Sequence, residues 1–94
     1  MSDTSHDQIG IVGAGFMGSG IAESVAKSGM PVVLHEPDRS ALERSRGAIA
    51  ESLHRAVRAD KLAQADVGPV LSRVTWTQDI EALGECGLVV EGRL

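Results

Sequence analysis

Residues 9–29, IGIVGAGFMGSGIAESVAKSG, decide how this chain folds, and five of the first twelve are glycine. Ile9-Gly10-Ile11-Val12-Gly13 is a short apolar run closed by glycine, the pattern of a buried parallel strand. From Phe16 the period changes. Met17, Ile21 and Val25 recur every four residues with Ala22 and Ala26 beside them, which predicts a helix with these residues on its core face. Gly29 is placed as a left-handed cap, and Pro31 stops the helix. The glycines therefore stand where a strand turns into a helix. Gly13, Gly15 and Gly18 have the spacing G-x-G-x-x-G. The first permits the tight turn, the second lets a pyrophosphate approach bare backbone, and the third lets helix and strand pack closely. Free N–H groups at the helix start, with the helix dipole, favour the negative phosphates.

A glycine-rich turn without a ligand has the same local spacing, so a second signal is needed. Val32-Val33-Leu34-His35-Glu36 is a second buried strand, broken by Pro37-Asp38. Glu36 closes it, 23 residues after Gly13. A carboxylate there accepts hydrogen bonds from the ribose hydroxyls of an adenosine and repels a 2′-phosphate, so NAD is expected over NADP. Arg39, which could pair with a 2′-phosphate, reads instead as a surface charge.

Further along, Ser40-Ala41-Leu42-Glu43 has the spacing of a capping box. Leu42, Ile49, Leu53 and Val57 continue as one apolar stripe of a long helix, with Gly47 a site for a bend. A second helical piece is expected from about Lys61 to Leu71, weakened by Gly68-Pro69. Val74-Thr75-Trp76-Thr77 reads as a third strand, with Trp76 supplying packing. Residues 78–83 form a short connector, and Gly87-Leu88-Val89-Val90 a fourth strand. The order β-α-β-α(α)-β-β predicts an α/β protein: a Rossmann-type, partial doubly wound parallel sheet of about four strands, with helices on both faces. Residues 1–7 read as a disordered lead-in and residues 8–94 as one domain.

The 94 residues carry a net charge of −4, which argues against nucleic acid or an anionic membrane as partner. A lone cysteine, Cys86, and a polar N-terminus fit a reducing compartment, the cytoplasm. No metal-ligand spacing exists among His6, His35 and His54, and no catalytic residue is evident.

The string Gly13-Ala-Gly-Phe-Met-Gly-Ser-Gly-Ile-Ala22 resembles the N-terminal domain of the 3-hydroxyacyl-CoA dehydrogenases, particularly the short bacterial 3-hydroxybutyryl-CoA dehydrogenases. The resemblance runs on through VVLHEPD, AIAESLHRAV, VTWTQDIEAL and GLVVE. It implies NAD as cofactor, hydride transfer between nicotinamide and C3 of an (S)-3-hydroxyacyl-CoA, and a homodimer for the full-length form. It marks Gly13, Ala14, Gly15, Phe16, Met17, Gly18 and Glu36 as the cofactor-binding set, although Met17 taken alone reads as core. It places Ser52 on a serine that contacts the substrate thioester arm. It also implies a lysine shortly afterwards, for which Lys61 is a better chemical match than Arg58. The resemblance stops at Gly92-Arg93-Leu94. The family's catalytic His with its partner Glu, and its helical second domain, have no counterpart here, so the chain reads as a truncated member that is inactive alone. Two alternatives stand beside this: a catalytically inactive dinucleotide-binding remnant, and an FAD-binding domain, whose fingerprint Gly18, Ala22 and Glu36 also satisfy.

Overall fold

The computed structural model describes residues 8–92, so the expected disordered segment 1–7 lies outside the described residues. Four strands form one parallel sheet in the order β3-β2-β1-β4: β1 Ile9–Val12, β2 Val32–His35, β3 Val74–Thr77 and β4 Leu88–Glu91. The register aligns Ile11 with Leu34, Leu34 with Trp76, and Ile11 with Val90. Side chains alternate across the sheet, so these four share a face. On that face pack α1 (Phe16–Lys27), α2 (Arg39–Arg58) and α3 (Val67–Ser72). The other face is covered by a 3₁₀ helix, Ile80–Glu85, with Leu83 and Cys86 packed against Gly10. A Cβ on Gly10 would come within 2.7 Å of the Leu83 side chain.

The buried stripe of α1 is only partly the expected one, with Ala22 and Ala26 as expected. Gly18, Ala22 and Ala26 are buried, whereas Met17 is 40% exposed and Ile21 and Val25 are only partly covered. The small residues win because α1 must lie close to β1: a Cβ on Gly18 would overlap the Gly13 carbonyl oxygen. Helix α1 ends as expected at Gly29, in the left-handed region with φ +100°. Arg73, at the end of α3, donates to the Ala26 carbonyl at 2.9 Å and satisfies part of that helix end.

The capping box does not form. Asp38 caps α2, accepting from the Ser40 N–H at 2.9 Å and the Ser40 hydroxyl at 2.8 Å. Asp is at least as good an N-cap as Ser, and Glu43 turns to Arg39 instead, 3.7 Å away. The helix then runs unbroken through Gly47, with Leu42, Ser45, Ile49 and Leu53 buried. It stops at Asp60, a non-glycine residue with φ +58°. The helical piece expected from about Lys61 begins with a 3₁₀ turn at Gln64–Asp66, and α3 follows at Val67. Gly68 and Pro69 fall in its first turn, where a missing N–H costs nothing.

The Asp38 carboxyl titrates below the ordinary aspartate value, because the Ser40 hydroxyl and then the Ser40 amide stabilise its charged form. A folded-state pKa below the unfolded one gives stability that is complete above the ordinary aspartate range and lost as pH falls through the lowered value. Asp38→Ala is therefore expected to lower the melting temperature at pH 7 and to have a smaller effect near pH 2. Thermal melts at the two pH values check this; equal shifts would show that Asp38 does not act through its charge.

Candidate functional site

The order in which strands are added reverses at β1, with all strands parallel. From β1 the strands proceed through β2 to β3 on one side, and β4 then returns to the other side of β1. Ligands of open parallel sheets bind at such a switch point, beyond the carboxyl ends of the strands. The glycine loop sits there. Gly13 has φ +103° and its N–H donates to the His35 carbonyl at 2.8 Å, which ties the turn to β2. Gly15 is the N-cap of α1, and no side chain caps that helix among the described residues. The N–H groups of its first turn are left for an external acceptor. A Cβ on Gly15 would meet nothing within 4 Å. This open space above bare backbone is what a pyrophosphate requires, so the loop fits a dinucleotide.

Glu36 reaches back to the same loop. Its Oε1 accepts from the Ala14 N–H at 3.1 Å and its Oε2 from the Asp38 N–H at 3.1 Å. The carboxylate thus joins the end of β2 to the second residue of the glycine motif and still has lone pairs for a ribose hydroxyl. Arg39 is exposed and faces Glu43, consistent with its reading as a surface charge.

A family model described as 3-hydroxyacyl-CoA dehydrogenase, NAD binding domain, matches residues 8–93. The chain belongs to this family. A 3-hydroxybutyryl-CoA dehydrogenase of Mycobacterium tuberculosis is 41% identical over 91 residues, covering 97% of this chain and 32% of the relative. The crystal structure of M. tuberculosis FadB2 superimposes with a TM-score of 0.91 at 38% identity, covering 95% of this chain and 31% of that one. The (S)-3-hydroxybutyryl-CoA dehydrogenase PaaH1 of Ralstonia eutropha gives a TM-score of 0.90 at 32% identity, with 95% and 31% covered. The chain therefore spans about a third of the length of these relatives. The cofactor of the matched domain is NAD, which removes FAD as the reading of the glycine motif.

Four of the seven residues of the expected cofactor set, Ala14, Gly15, Phe16 and Met17, also line a second feature. A cleft of about 810 Å³ runs between α1 and α2, beginning at Phe16 and Met17 by the loop. Phe16 is fully exposed. Further along, the cleft is lined by Ser52, Glu23, Arg44 and Arg55. Ser52 Oγ donates to Glu23 Oε2 at 2.8 Å, and Lys27 Nζ lies 3.8 Å from the same carboxylate oxygen. A serine hydroxyl has one proton, so the Ser52 hydroxyl, with its proton given to Glu23, is left with acceptor lone pairs. Lys61 is exposed in the turn after α2 and Arg58 faces Glu51 at 3.2 Å; neither lines the cleft.

Three features were not read from the sequence. One is the Ser52–Glu23 bond. Another is a buried hydrogen-bonded series joining Ser19, Ser45 and Trp76. The third is Gly92, whose N–H donates to the Val12 carbonyl at 2.8 Å. A Cβ there would come 2.8 Å from Gly18 Cα, so Gly92 closes the floor under the loop. Trp76, expected only to pack, is polar as well: its Nε1 donates to Ser45, and the Arg46 guanidinium lies 5.6 Å from its ring centroid. No group of three or more His, Cys, Asp or Glu that could hold a metal occurs among the described residues. Among these residues no helix is long and apolar enough to cross a membrane.

Proposed function

We propose that this chain serves as the NAD-binding part of an (S)-3-hydroxyacyl-CoA dehydrogenase of the 3-hydroxybutyryl-CoA class. The observation that carries the reading is the Glu36 carboxylate hydrogen-bonded to the Ala14 N–H, beside an open glycine loop at the switch point. When bound, NAD supplies the hydride acceptor or donor for C3 of the acyl-CoA. The chain's own residues bind and orient. The loop and the first turn of α1, Gly13 to Gly18, receive the pyrophosphate, and Glu36 receives the adenosine ribose. The α1–α2 cleft takes the coenzyme A arm. Ser52 there accepts a hydrogen bond from an amide N–H of that arm, and Arg44 and Arg55, which line the cleft where Lys61 does not, offer cations to its phosphates. The longer protein works as a homodimer in the cytoplasm.

Glu36→Ala tests the reading. Hydrogen bonds to charged groups contribute about 1.5–3 kcal/mol, so NAD affinity is expected to fall about 10- to 100-fold. NADP affinity is expected to rise, because the repulsion of its 2′-phosphate is gone. Calorimetric titration of both cofactors measures this, and NADP binding equal to or tighter than NAD in the unsubstituted protein would contradict it.

Binding is expected to be separable from turnover. His35 is buried within β2 and His54 lies exposed outside the cleft. A general base must reach the substrate hydroxyl and contributes about 10²- to 10⁴-fold. The 94-residue polypeptide is therefore expected to titrate with NAD yet to show no oxidation of NADH with acetoacetyl-CoA at 340 nm. Turnover above the uncatalysed rate would assign the base to a residue of this segment.

A further inference from the structure

Ala14 of the glycine loop is held through both of its peptides. Its N–H donates to Glu36, and its carbonyl accepts from Ser19 Oγ at 3.2 Å. Ser19 Oγ lies 2.7 Å from Ser45 Oγ, and Ser45 Oγ accepts from Trp76 Nε1 at 3.1 Å. An indole N–H can only donate, and each serine hydroxyl has one proton. Ser19 commits its proton to the Ala14 carbonyl. The proton between the two serines must then come from Ser45, which is free to give it because Trp76 supplies the bond Ser45 accepts. One arrangement satisfies all three contacts, and every donor in it points toward the loop.

We infer that Trp76, Ser45 and Ser19 form a one-way hydrogen-bonded chain from the edge strand β3 to the glycine loop, and that Trp76 and Ser45 are positioning residues for the NAD pyrophosphate although neither belongs to the loop. Ser19 and Ser45 are both buried although they border the α1–α2 cleft, so water competes little for these bonds. No peptide bond is cis. In a trans peptide the N–H points opposite to the carbonyl. Fixing the Ala14 carbonyl on Ser19 therefore turns the Gly15 N–H away from the α1–α2 interface and keeps it available to a phosphate oxygen. The three residues come from α1, α2 and β3, so the loop geometry is set by how these elements dock and not by the glycine motif alone.

The test uses NAD titration by calorimetry at a temperature where circular dichroism shows each variant folded, together with the emission of Trp76, the protein's one tryptophan. Ser45→Ala is expected to weaken NAD binding about 3- to 10-fold, the worth of one lost hydrogen bond. Ser45→Thr, which keeps the hydroxyl, is expected to restore it. NAD is expected to shift Trp76 emission in the unsubstituted protein and to shift it less in Ser45→Ala. If Ser45→Ala does not fold, Trp76→Phe decides, since that ring is partly exposed at the sheet edge; its expected loss is about 3-fold. Unchanged NAD affinity in a folded Ser45→Ala, or in a folded Trp76→Phe where that variant decides, overturns the inference. So does a folded Ser45→Thr that binds as weakly as Ser45→Ala.

Discussion

Gly15→Val is expected to leave a folded protein that no longer binds NAD. Gly15 has φ −76° and ψ −165°, extended backbone that any residue adopts. An added Cβ meets no protein atom within 4 Å, so the chain itself has no reason to object. The cost falls on the ligand, because the branched side chain stands in the space above the loop that the pyrophosphate needs. A melting temperature near that of the unsubstituted protein, with no heat of NAD binding, is the expected pair of results. Normal NAD binding by a folded Gly15→Val would reduce the loop to a turn.

Gly18→Ala, three residues away, is expected to do the opposite: it damages the fold itself. Its Cβ would overlap the Gly13 carbonyl oxygen, and Ile11 lies behind it at 3.5 Å. The obstructing group is backbone of the turn, and Gly92 crowds the same place, since a Cβ on it would come 2.8 Å from Gly18 Cα and 3.2 Å from the Gly13 carbonyl oxygen, so relief requires helix and strand to separate. Overpacking of this kind costs about 1–3 kcal/mol, and backbone obstruction places it at the upper end. In a domain this small, about 3 kcal/mol lowers the melting temperature by roughly 10–20 °C and removes a large share of a total stability of about 5–15 kcal/mol. Thermal unfolding measures it; an unchanged melt would show that α1 and β1 are not in close contact through Gly18.

The contrast between these two glycines shows what can be read from sequence here. The motif spacing told where strand becomes helix, which glycine faces open space and which faces the strand. Short apolar runs bounded by Gly and Pro located all four strands, and Glu36 at the end of the second stands hydrogen-bonded to the glycine loop. On α1, Ala22 and Ala26 are buried as expected, but Gly18 and Ser19 are buried with them while Ile21 and Val25 are only partly covered and Met17 is exposed, because close docking on β1 favours small side chains. Met17 is consequently released to the cleft. The start of α2 was misjudged because Ser40 and Glu43 had the right spacing, yet Asp38 stood nearer to the break at Pro37 and captured Ser40 instead.

The buried serines left a trace that was legible. Ser45 continues the stripe of Leu42, Ile49 and Leu53 at helical spacing, so a polar side chain was bound for the core and needed a partner. Its partners, Ser19 and Trp76, lie 26 and 31 residues away. Only the docking of three elements brings them together, and no local pattern records that. The same holds for Ser52 and Glu23, 29 residues apart.

The central claim, that Gly13 to Gly18 with Glu36 form the NAD site, is tested most directly by following backbone amide resonances while NAD is added. The account predicts that the amides of Ala14, Gly15, Phe16, Met17 and Gly18, with Glu36 and Asp38 on the adjoining strand end, shift most and saturate together. Amides of the glycine loop that stay in place while NAD binds, or shifts confined to residues elsewhere in the sheet, would contradict it.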